Sequence, residues 1–148
     1  KLVDGWYRTG DIVQLNEDGS VTLKGRGDDI IRSGAENVHP VEVESVLASH
    51  PGVADVALIG VADVRWGELA VACVVSRVPA PSPQELDAHC RNSDLAGYKR
   101  PRAYFSIAAL PRNAGNKVLR RELKALTADA RDQGDPRYVA LMQGPKST

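Results

Sequence analysis

The chain has 148 residues, 43% of them hydrophobic and 26% charged, and its 19 basic side chains are balanced by 19 acidic ones. This length fits one domain with a core of its own, and the balanced charge gives no indication of binding to nucleic acid or to an anionic membrane surface. No apolar run approaches the roughly 18 residues of a membrane span and no signal peptide opens the chain, so we expect a cytoplasmic protein without a membrane partner.

The first predicted element is a β-hairpin. Val13 and Leu15 alternate with polar residues before NEDG at residues 16–19, and Val21 and Leu23 alternate after it. Alternation on both sides of an Asp-Gly turn is a strong short-range signal of a hairpin.

A segment rich in glycine and charge follows, with the sequence GRGDDIIRSGAENVHPVEVE at residues 25–44. Its first part is too polar for a core segment and predicts a loop of the kind that binds ligands or moves. A helix is predicted from Pro40, since proline suits the first helical position. Val43, Val46 and Leu47 then recur at the spacing of one helical face.

Two apolar strands are predicted over residues 53–61 and 68–78, joined by the polar loop DVRWG at residues 63–67. Alternate residues form one face of the second strand: Leu69, Val71, Cys73 and Val75. Cys73 and Cys90 both lie in apolar patterns, so we expect buried thiols of a reducing compartment and no disulfide framework.

The remaining chain predicts a helix, a strand and a helix. SPQE at residues 82–85 is a capping box with proline at the first helical position, and its helix is expected to bury Leu86, His89 and Cys90. We assign His89 no function, because a histidine on an apolar face is usually a hydrogen-bonded core residue. A short strand is predicted over residues 104–110.

The last predicted helix is basic and starts at Val118. Leu119, Leu123 and Leu126 recur at i, i+4 and i+7, so we expect this segment to be an amphipathic helix. The periodicity then fades, and residues 129–148 are expected to form a tail. This order of elements predicts an α/β (α+β) fold, a small mixed β-sheet with helices packed on it.

Three motifs carry a resemblance to a known family. Residues 25–44 resemble the hinge motif of the adenylate-forming (AMP-dependent synthetase/ligase) superfamily, which contains acyl- and aryl-coenzyme A synthetases and peptide-synthetase adenylation domains. YRTGD at residues 7–11 and PRNAGNKVLRR at residues 111–121 agree with its flanking motifs in type and order. DVRWG, YKRPR at residues 98–102 and GNK at residues 115–117 are most similar to its 4-chlorobenzoate- and benzoate-activating coenzyme A ligases.

The resemblance implies a division of the chain. Residues 1–27 would be the last hairpin of a larger N-terminal domain, and residues 28–128 the C-terminal mobile domain. The chain opens with Lys1 close to the first motif, so we expect a piece of a longer protein, with that larger domain as its first partner. Because the acid pocket would lie in the larger domain, the resemblance implies only the substrate class, a carboxylic acid, and the chain alone is expected to be inactive.

The resemblance also implies residues for the first half-reaction. Lys117 matches the catalytic lysine that bridges the substrate carboxylate and the α-phosphate of ATP, where two anions meet and need a cation. Asp11 matches the aspartate that accepts hydrogen bonds from both ribose hydroxyls, and Arg26 a residue near the ribose and phosphates. Asn116 stands where the superfamily more often has glycine, a departure shared by the chlorobenzoate-ligase type.

Other residues are implied for the second half-reaction. Asp28 matches the hinge about which the C-terminal domain rotates between adenylation and thioester formation. Gly34 would then let the pantetheine arm of coenzyme A pass close to the backbone. Trp66, Tyr98 and Arg100 match positions that dock the coenzyme's nucleotide, where a ring stacks on adenine and a guanidinium binds phosphate.

These matches predict an AMP-forming acid–thiol ligase that uses ATP, Mg²⁺ held mainly by the larger domain, and coenzyme A as co-substrate. No metal ligand is expected in this chain. One alternative is an adenylation domain that loads a carrier protein, which Trp66 and Arg100 disfavour. Another is a non-catalytic binding module of the same fold, which the joint presence of Lys117, Asp11 and Asp28 disfavours.

Overall fold

The computed structural model describes residues 2–141. The strands are β1 (Leu2–Val3), β2 (Trp6–Tyr7), β3 (Asp11–Leu15), β4 (Val21–Arg26), β5 (Ile31–Ser33), β6 (Glu36–Val38), β7 (Val53–Asp63), β8 (Gly67–Ser76), β9 (Ala103–Ser106) and β10 (Tyr138–Ala140). The helices are α1 (Pro40–Ala48), α2 (Pro83–Arg91) and α3 (Arg120–Asp132). Within residues 2–141, no helix has both the length and the apolar character needed to cross a membrane.

A mixed six-stranded sheet organises the chain from β5 onward. Strand β8 pairs antiparallel with β7 and parallel with β9, and β9 pairs antiparallel with β10. The hairpin β5–β6 joins the start of β8 through the pair Ser33–Gly67. The predicted mixed sheet with helices packed on it is confirmed.

The helices cover both faces of this sheet. Side chains of α1 and α2 pack with Leu58, Ala72 and Val74 in one buried cluster. Side chains of α3 pack with Ile59 and Cys73 in a second cluster. Because both faces are covered, β7 and β8 read in the sequence as nearly continuous apolar runs.

Local sequence signals explain the first two helices. Pro40 occupies the start of α1, and Val43 and Leu47 are buried as predicted. At α2 the Ser82 side chain accepts a hydrogen bond from Glu85 N while the Glu85 side chain accepts one from Ser82 N, which is the predicted capping box.

The burial predicted for both cysteines is confirmed, whereas His89, also predicted to be buried, is only partly so. Cys73 and Cys90 are free thiols and both are buried, and burial raises the pKa of Cys73 to about 12. His89 is partly buried, and its Nε2 lies 3.0 Å from Val46 O and 2.9 Å from Ser49 Oγ. These contacts account for His89 as a structural residue.

The amphipathic helix predicted from Val118 onward is confirmed as α3, but only one of the three leucines that indicated it is buried. Leu123 is fully buried, but Leu119 and Leu126 are 36% and 44% exposed. Thr127 and Ala130 complete the buried face of the helix with Leu123. A polar residue can occupy this face because the Thr127 hydroxyl donates to Leu123 O at 2.8 Å.

Residues 25–44 are less loop-like than their composition predicts. Ile31, Ser33 and Val38 are buried in the hairpin β5–β6. Each strand has only three residues, too few for an alternation signal to stand out among the neighbouring charges. The two strands are joined by a turn with Gly34 at φ +64°.

The predicted strand at residues 104–110 and the predicted tail at residues 129–148 both need correction. Strand β9 ends at Ser106. Helix α3 continues to Asp132, and β10 then pairs with β9 through Tyr138 and Phe105. The short β10 is held by partners distant in sequence, so local periodicity could not reveal it. Residues 142–148 of the predicted tail lie outside the described residues.

The predicted first hairpin is confirmed as β3–β4, with Val13 opposite Leu23 and Leu15 opposite Val21. Its apolar side chains are largely exposed, as are those of β1–β2, where Trp6 is 80% exposed. Only Gly25 of β3 and β4 is buried. A Cβ at residue 25 would lie 3.4 Å from the Val41 side chain, so β4 passes close to α1 there.

Candidate functional site

Asp11 and Arg26 are brought together by the β3–β4 pairing, in which they lie directly opposite each other. Arg26 Nη1 donates to Thr9 O at 2.8 Å and lies 3.4 Å from Asp11 Oδ1. The Thr9 hydroxyl accepts a hydrogen bond from Asp11 N at 3.1 Å. This arrangement leaves a carboxylate and a guanidinium, both partly exposed, at the same end of the hairpin.

Asp28 lies in a single 3₁₀ turn, Gly27–Asp29, between β4 and β5. The turn is flanked by extended residues, with Arg26 at φ −92°, ψ 139° and Ile30 at φ −59°, ψ 128°. Asp28 itself is exposed. A short exposed turn between two sheets is a position where a change of backbone angles disturbs little packing.

Lys117 projects from a tight loop between Arg112 and Val118, which form an isolated antiparallel bridge. Asn113 closes the loop, because its N donates to Lys117 O and its side-chain oxygen accepts from Lys117 N, both at 2.9 Å. Arg112 Nη1 donates to Asn116 O and Nη2 donates to Asp55. The backbone of Lys117 is therefore fixed while its side chain is exposed.

Asn116 explains the departure from glycine before the lysine. It has φ +63°, in the left-handed region that glycine adopts readily. Asparagine is the non-glycine residue that tolerates this region best, together with aspartate. The loop therefore keeps its shape with Asn in the position that glycine would otherwise fill.

An open depression of ≈ 670 Å³ lies beside the loop and is lined by Asp29, Asn113, Lys117, Leu119, Arg120 and Arg121, among others. Asp29 immediately follows Asp28, so the depression joins the predicted hinge to the predicted catalytic lysine. Sequence reasoning assigned no role to Asp29 or Arg120.

Gly34 and Trp66, both predicted to serve coenzyme A, are in contact. Gly34 N donates to Trp66 O at 2.7 Å, and a Cβ at residue 34 would lie 3.5 Å from Cε3 of the indole. The guanidinium carbon of Arg102 lies 3.8 Å from the centroid of the Trp66 ring, and that of Arg65 lies 5.1 Å away. Burial lowers the pKa of Arg102, and the charges of Arg65 and Arg100 lower it further.

The YKRPR motif divides its cations between several partners. Lys99 Nζ lies 2.8 Å from both carboxylate oxygens of Glu42 on α1. Arg100 Nη1 donates to Asp87 on α2 at 2.8 Å, with a side chain 20% exposed. Tyr98 is exposed in the turn before them. A guanidinium has five N–H donors, so the Asp87 contact leaves Arg100 able to bind a further anion.

The predicted residues thus fall into groups that the fold assembles from distant segments. Asp11 with Arg26 forms one group, and the Lys117 loop another. Gly34 and Trp66 form a third, with Arg102 added by the structure. The sequence analysis missed Arg102. Its place two positions after Arg100, in the same basic motif, could have indicated it.

Within residues 2–141, no three His, Cys, Asp or Glu side chains are arranged to hold a metal ion.

Comparison with known proteins gives relatives that match most of this chain. A 4-chlorobenzoate–CoA ligase of Arthrobacter sp. is 50% identical over 137 residues, which is 92% of this chain and 26% of the relative. A fatty acid–[acyl-carrier-protein] ligase, ScoC of Streptomyces coeruleorubidus, is 45% identical over 83% of this chain and 24% of its own length. The chain spans about a quarter of the length of these relatives.

A solved structure agrees with the fold. The o-succinylbenzoate CoA synthetase (MenE) of Bacillus subtilis, in complex with the acyl-adenylate intermediate OSB-AMP, superimposes with a TM-score of 0.78 at 44% identity, over 83% of this chain and 25% of that one. A family model described as AMP-binding enzyme C-terminal domain matches residues 42–117, just over half of the chain. With this match added to the fold and the arrangement of the Lys117 loop, the chain belongs to the AMP-binding enzyme C-terminal domain family of the adenylate-forming superfamily.

Proposed function

We propose that this chain is the C-terminal part of an AMP-forming acyl- or aryl-coenzyme A synthetase. The enzyme would convert a carboxylic acid, ATP and coenzyme A into acyl-coenzyme A, AMP and pyrophosphate through an acyl-adenylate. Residues 1–27 would end the larger domain and residues from 28 onward would form the mobile domain. The observation that carries the proposal is the Lys117 loop, whose backbone is fixed at both ends while the ammonium is exposed.

In the first half-reaction, the substrate carboxylate attacks the α-phosphorus of ATP and pyrophosphate leaves. Lys117 would lie between the two anions and stabilise the charge that accumulates there. Asp11 would accept hydrogen bonds from the ribose hydroxyls, and Arg26 would approach the ribose and phosphates. Mg²⁺ would bind with ATP in the larger domain.

In the second half-reaction, the thiol attacks the carbonyl carbon of the acyl-adenylate and AMP leaves. Rotation about Asp28 would withdraw Lys117 and bring the β5–β6 hairpin inward. The contact between Gly34 and Trp66 supports a common role for them, because a thiol arm passing Gly34 would lead to a nucleotide at Trp66. Arg102 on the Trp66 ring would add a cation near the phosphates.

The test is pyrophosphate release from ATP across a panel of carboxylic acids, benzoates included, by the full-length enzyme and by this chain alone. We expect release only with the full-length enzyme and an aromatic or aliphatic acid, followed by thioester formation when coenzyme A is added. Pyrophosphate release by the 148-residue chain alone would contradict the proposal.

The second candidate is an enzyme that loads a carrier protein. It is supported by the similarity to ScoC, which is named as a fatty acid–[acyl-carrier-protein] ligase. The residues around Trp66 separate the two candidates, because a carrier protein presents phosphopantetheine without the coenzyme's adenosine nucleotide.

We therefore expect Trp66→Ala and Arg100→Ala to raise the KM for coenzyme A by roughly ten-fold or more in the full-length enzyme. Loss of an aromatic platform costs ~1–3 kcal/mol per stacked base, and loss of a hydrogen bond to a charged group roughly 1.5–3 kcal/mol. Each step of about 1.4 kcal/mol corresponds to a factor of ten. Steady-state kinetics with coenzyme A varied would measure the change.

The control for Arg100→Ala is Arg137→Ala, which removes another guanidinium paired with an aspartate, Asp135. This control should leave the KM for coenzyme A unchanged. Pantetheine lacks the nucleotide and should be used equally poorly by the wild type and both variants. An unchanged KM for coenzyme A in both variants would favour the carrier-protein candidate.

A further inference from the structure

Arg120, the first residue of α3, uses each nitrogen of its guanidinium for a different partner. Nη1 donates to Leu58 O at 2.7 Å, and Nη2 donates to Glu44 Oε1 at 2.9 Å. Nε lies 3.4 Å from Asp29 Oδ2. Glu44 Oε1 also accepts a hydrogen bond from Leu58 N at 2.8 Å, which closes the network. The Arg120, Asp29 and Glu44 side chains are only 22%, 29% and 19% exposed.

These partners come from parts of the fold that are distant in sequence. Asp29 is the residue immediately after Asp28, Glu44 lies on α1 and Leu58 lies in β7. Arg120 follows Lys117 by three positions, at the end of the loop that carries it. The network therefore links the turn at Asp28 to the Lys117 loop by direct contacts, across the depression that both line.

Arg120 and Lys117 differ in how far their charge is compensated by neighbouring groups. Arg120 faces two carboxylates and a carbonyl, so its charge is already compensated within the fold. Lys117 projects from the same region with its side chain exposed. Arg120 is thus suited to hold the loop in place, and Lys117 to meet a substrate anion.

We propose that the Asp29–Arg120 ion pair positions Lys117 for adenylation, by fixing the Lys117 loop to the segment directly after the hinge. This inference rests on the proposed function. Without the pair, a rotation at Asp28 would be shared with Asp29 and would reach the loop imprecisely. With it, the hinge segment and Lys117 move as one body, and the angles at Asp28 alone determine where the ammonium arrives.

The test uses Asp29→Asn in the full-length enzyme, because the amide keeps the size of the side chain and removes its charge. Arg120→Ala is less suitable, since it would also remove the Arg120 hydrogen bonds to Glu44 Oε1 and Leu58 O in a half-buried site. Misplacement of a catalytic group by about 1 Å can cost 10²-fold in rate. We expect the loss of the ion pair to displace Lys117 by less than about 1 Å, so that kcat for adenylation falls about ten-fold. The KM for ATP and for the acid should be unchanged. Thioester formation from supplied acyl-adenylate should be unaffected.

A double-mutant cycle with Lys117→Ala shows whether Asp29 acts through the lysine. In the Lys117→Ala background, Asp29→Asn should have no further effect on adenylation, because the group that it positions is gone. The matched control is Asp135→Asn, which neutralises an aspartate of comparable exposure, 20%, in the ion pair with Arg137. It should leave both half-reactions unchanged.

Each other result overturns the inference. Normal adenylation by Asp29→Asn, effects of the two changes that multiply in the double mutant, or equal loss of both half-reactions would show that Asp29 does not act through Lys117. Normal adenylation by Lys117→Ala alone would instead overturn the proposed role of the lysine, so the two failures are distinguishable.

Discussion

Replacing Lys117 by alanine is expected to slow adenylation by about 10²–10³-fold, the loss typical of removing one preorganised donor to a developing anion. The loop around Lys117 should keep its shape, because its hydrogen bonds involve the Lys117 backbone and not the ammonium. Thioester formation from supplied acyl-adenylate should stay near the wild-type rate, since the proposed rotation about Asp28 would withdraw Lys117 in that step. Pyrophosphate release and thioester formation are measured separately on the full-length enzyme.

Lys124→Ala is the matched control for this change. Lys124 lies on the same helix as Arg120, and its Nζ is 3.6 Å from Glu68 Oε1. Its loss should leave both half-reactions intact. If Lys117→Ala damages both half-reactions equally, Lys117 supports the fold or a common step, and the proposed division of labour is wrong.

Replacing Asp28 by proline is expected to separate the half-reactions in the complementary way. Proline fixes φ near about −65°, so the 3₁₀ turn could hold one orientation but not pass between two. Gly27 precedes the site and lacks a Cβ, which limits the further restriction that proline imposes on its neighbour. If the retained orientation is the adenylating one, adenylation survives while thioester formation falls by roughly 10²-fold, as expected for misplaced reacting groups.

Asp28→Ala is the control, because alanine removes the carboxylate but leaves the backbone free to rotate. It should support both half-reactions. Normal rates of both steps in the proline variant would mean that the chain pivots elsewhere. Loss of both steps in the alanine variant would mean that the carboxylate, and not the backbone freedom at residue 28, is what the enzyme needs.

Local signals predicted the parts of the fold whose stabilising contacts lie close in sequence. The Asp-Gly turn, the capping box at Ser82 and the proline at the start of α1 each act within a few residues, and each is observed. The sequence was less informative where partners are distant. Strand β10 is stabilised by pairing with β9. Thr127 can be buried because its hydroxyl donates a hydrogen bond to Leu123 O.

The same distinction holds for the candidate site. Lys117, Asp28 and Asp11 could be singled out by motif, because each lies among fixed neighbours along the chain. The tertiary contacts of the residues around them could not be predicted from motifs. Arg120 pairs with Asp29, which is 91 positions earlier in the sequence. Arg102, just before β9, contacts Trp66, which lies between β7 and β8. Spacing along the chain does not encode such pairs, because packing of helices on the sheet creates them.

The two tryptophans of the chain have very different surroundings. Trp6 is 80% exposed on β2, whereas Trp66 lies under the Arg102 guanidinium and beside Gly34. Indole fluorescence depends on the polarity and charge around the ring, so the two residues should emit differently. With Trp6 replaced by phenylalanine, this chain retains a single tryptophan, at the proposed docking position of coenzyme A. Its emission, excited apart from that of the four tyrosines, would then report whether coenzyme A binds at the proposed position, without an added label.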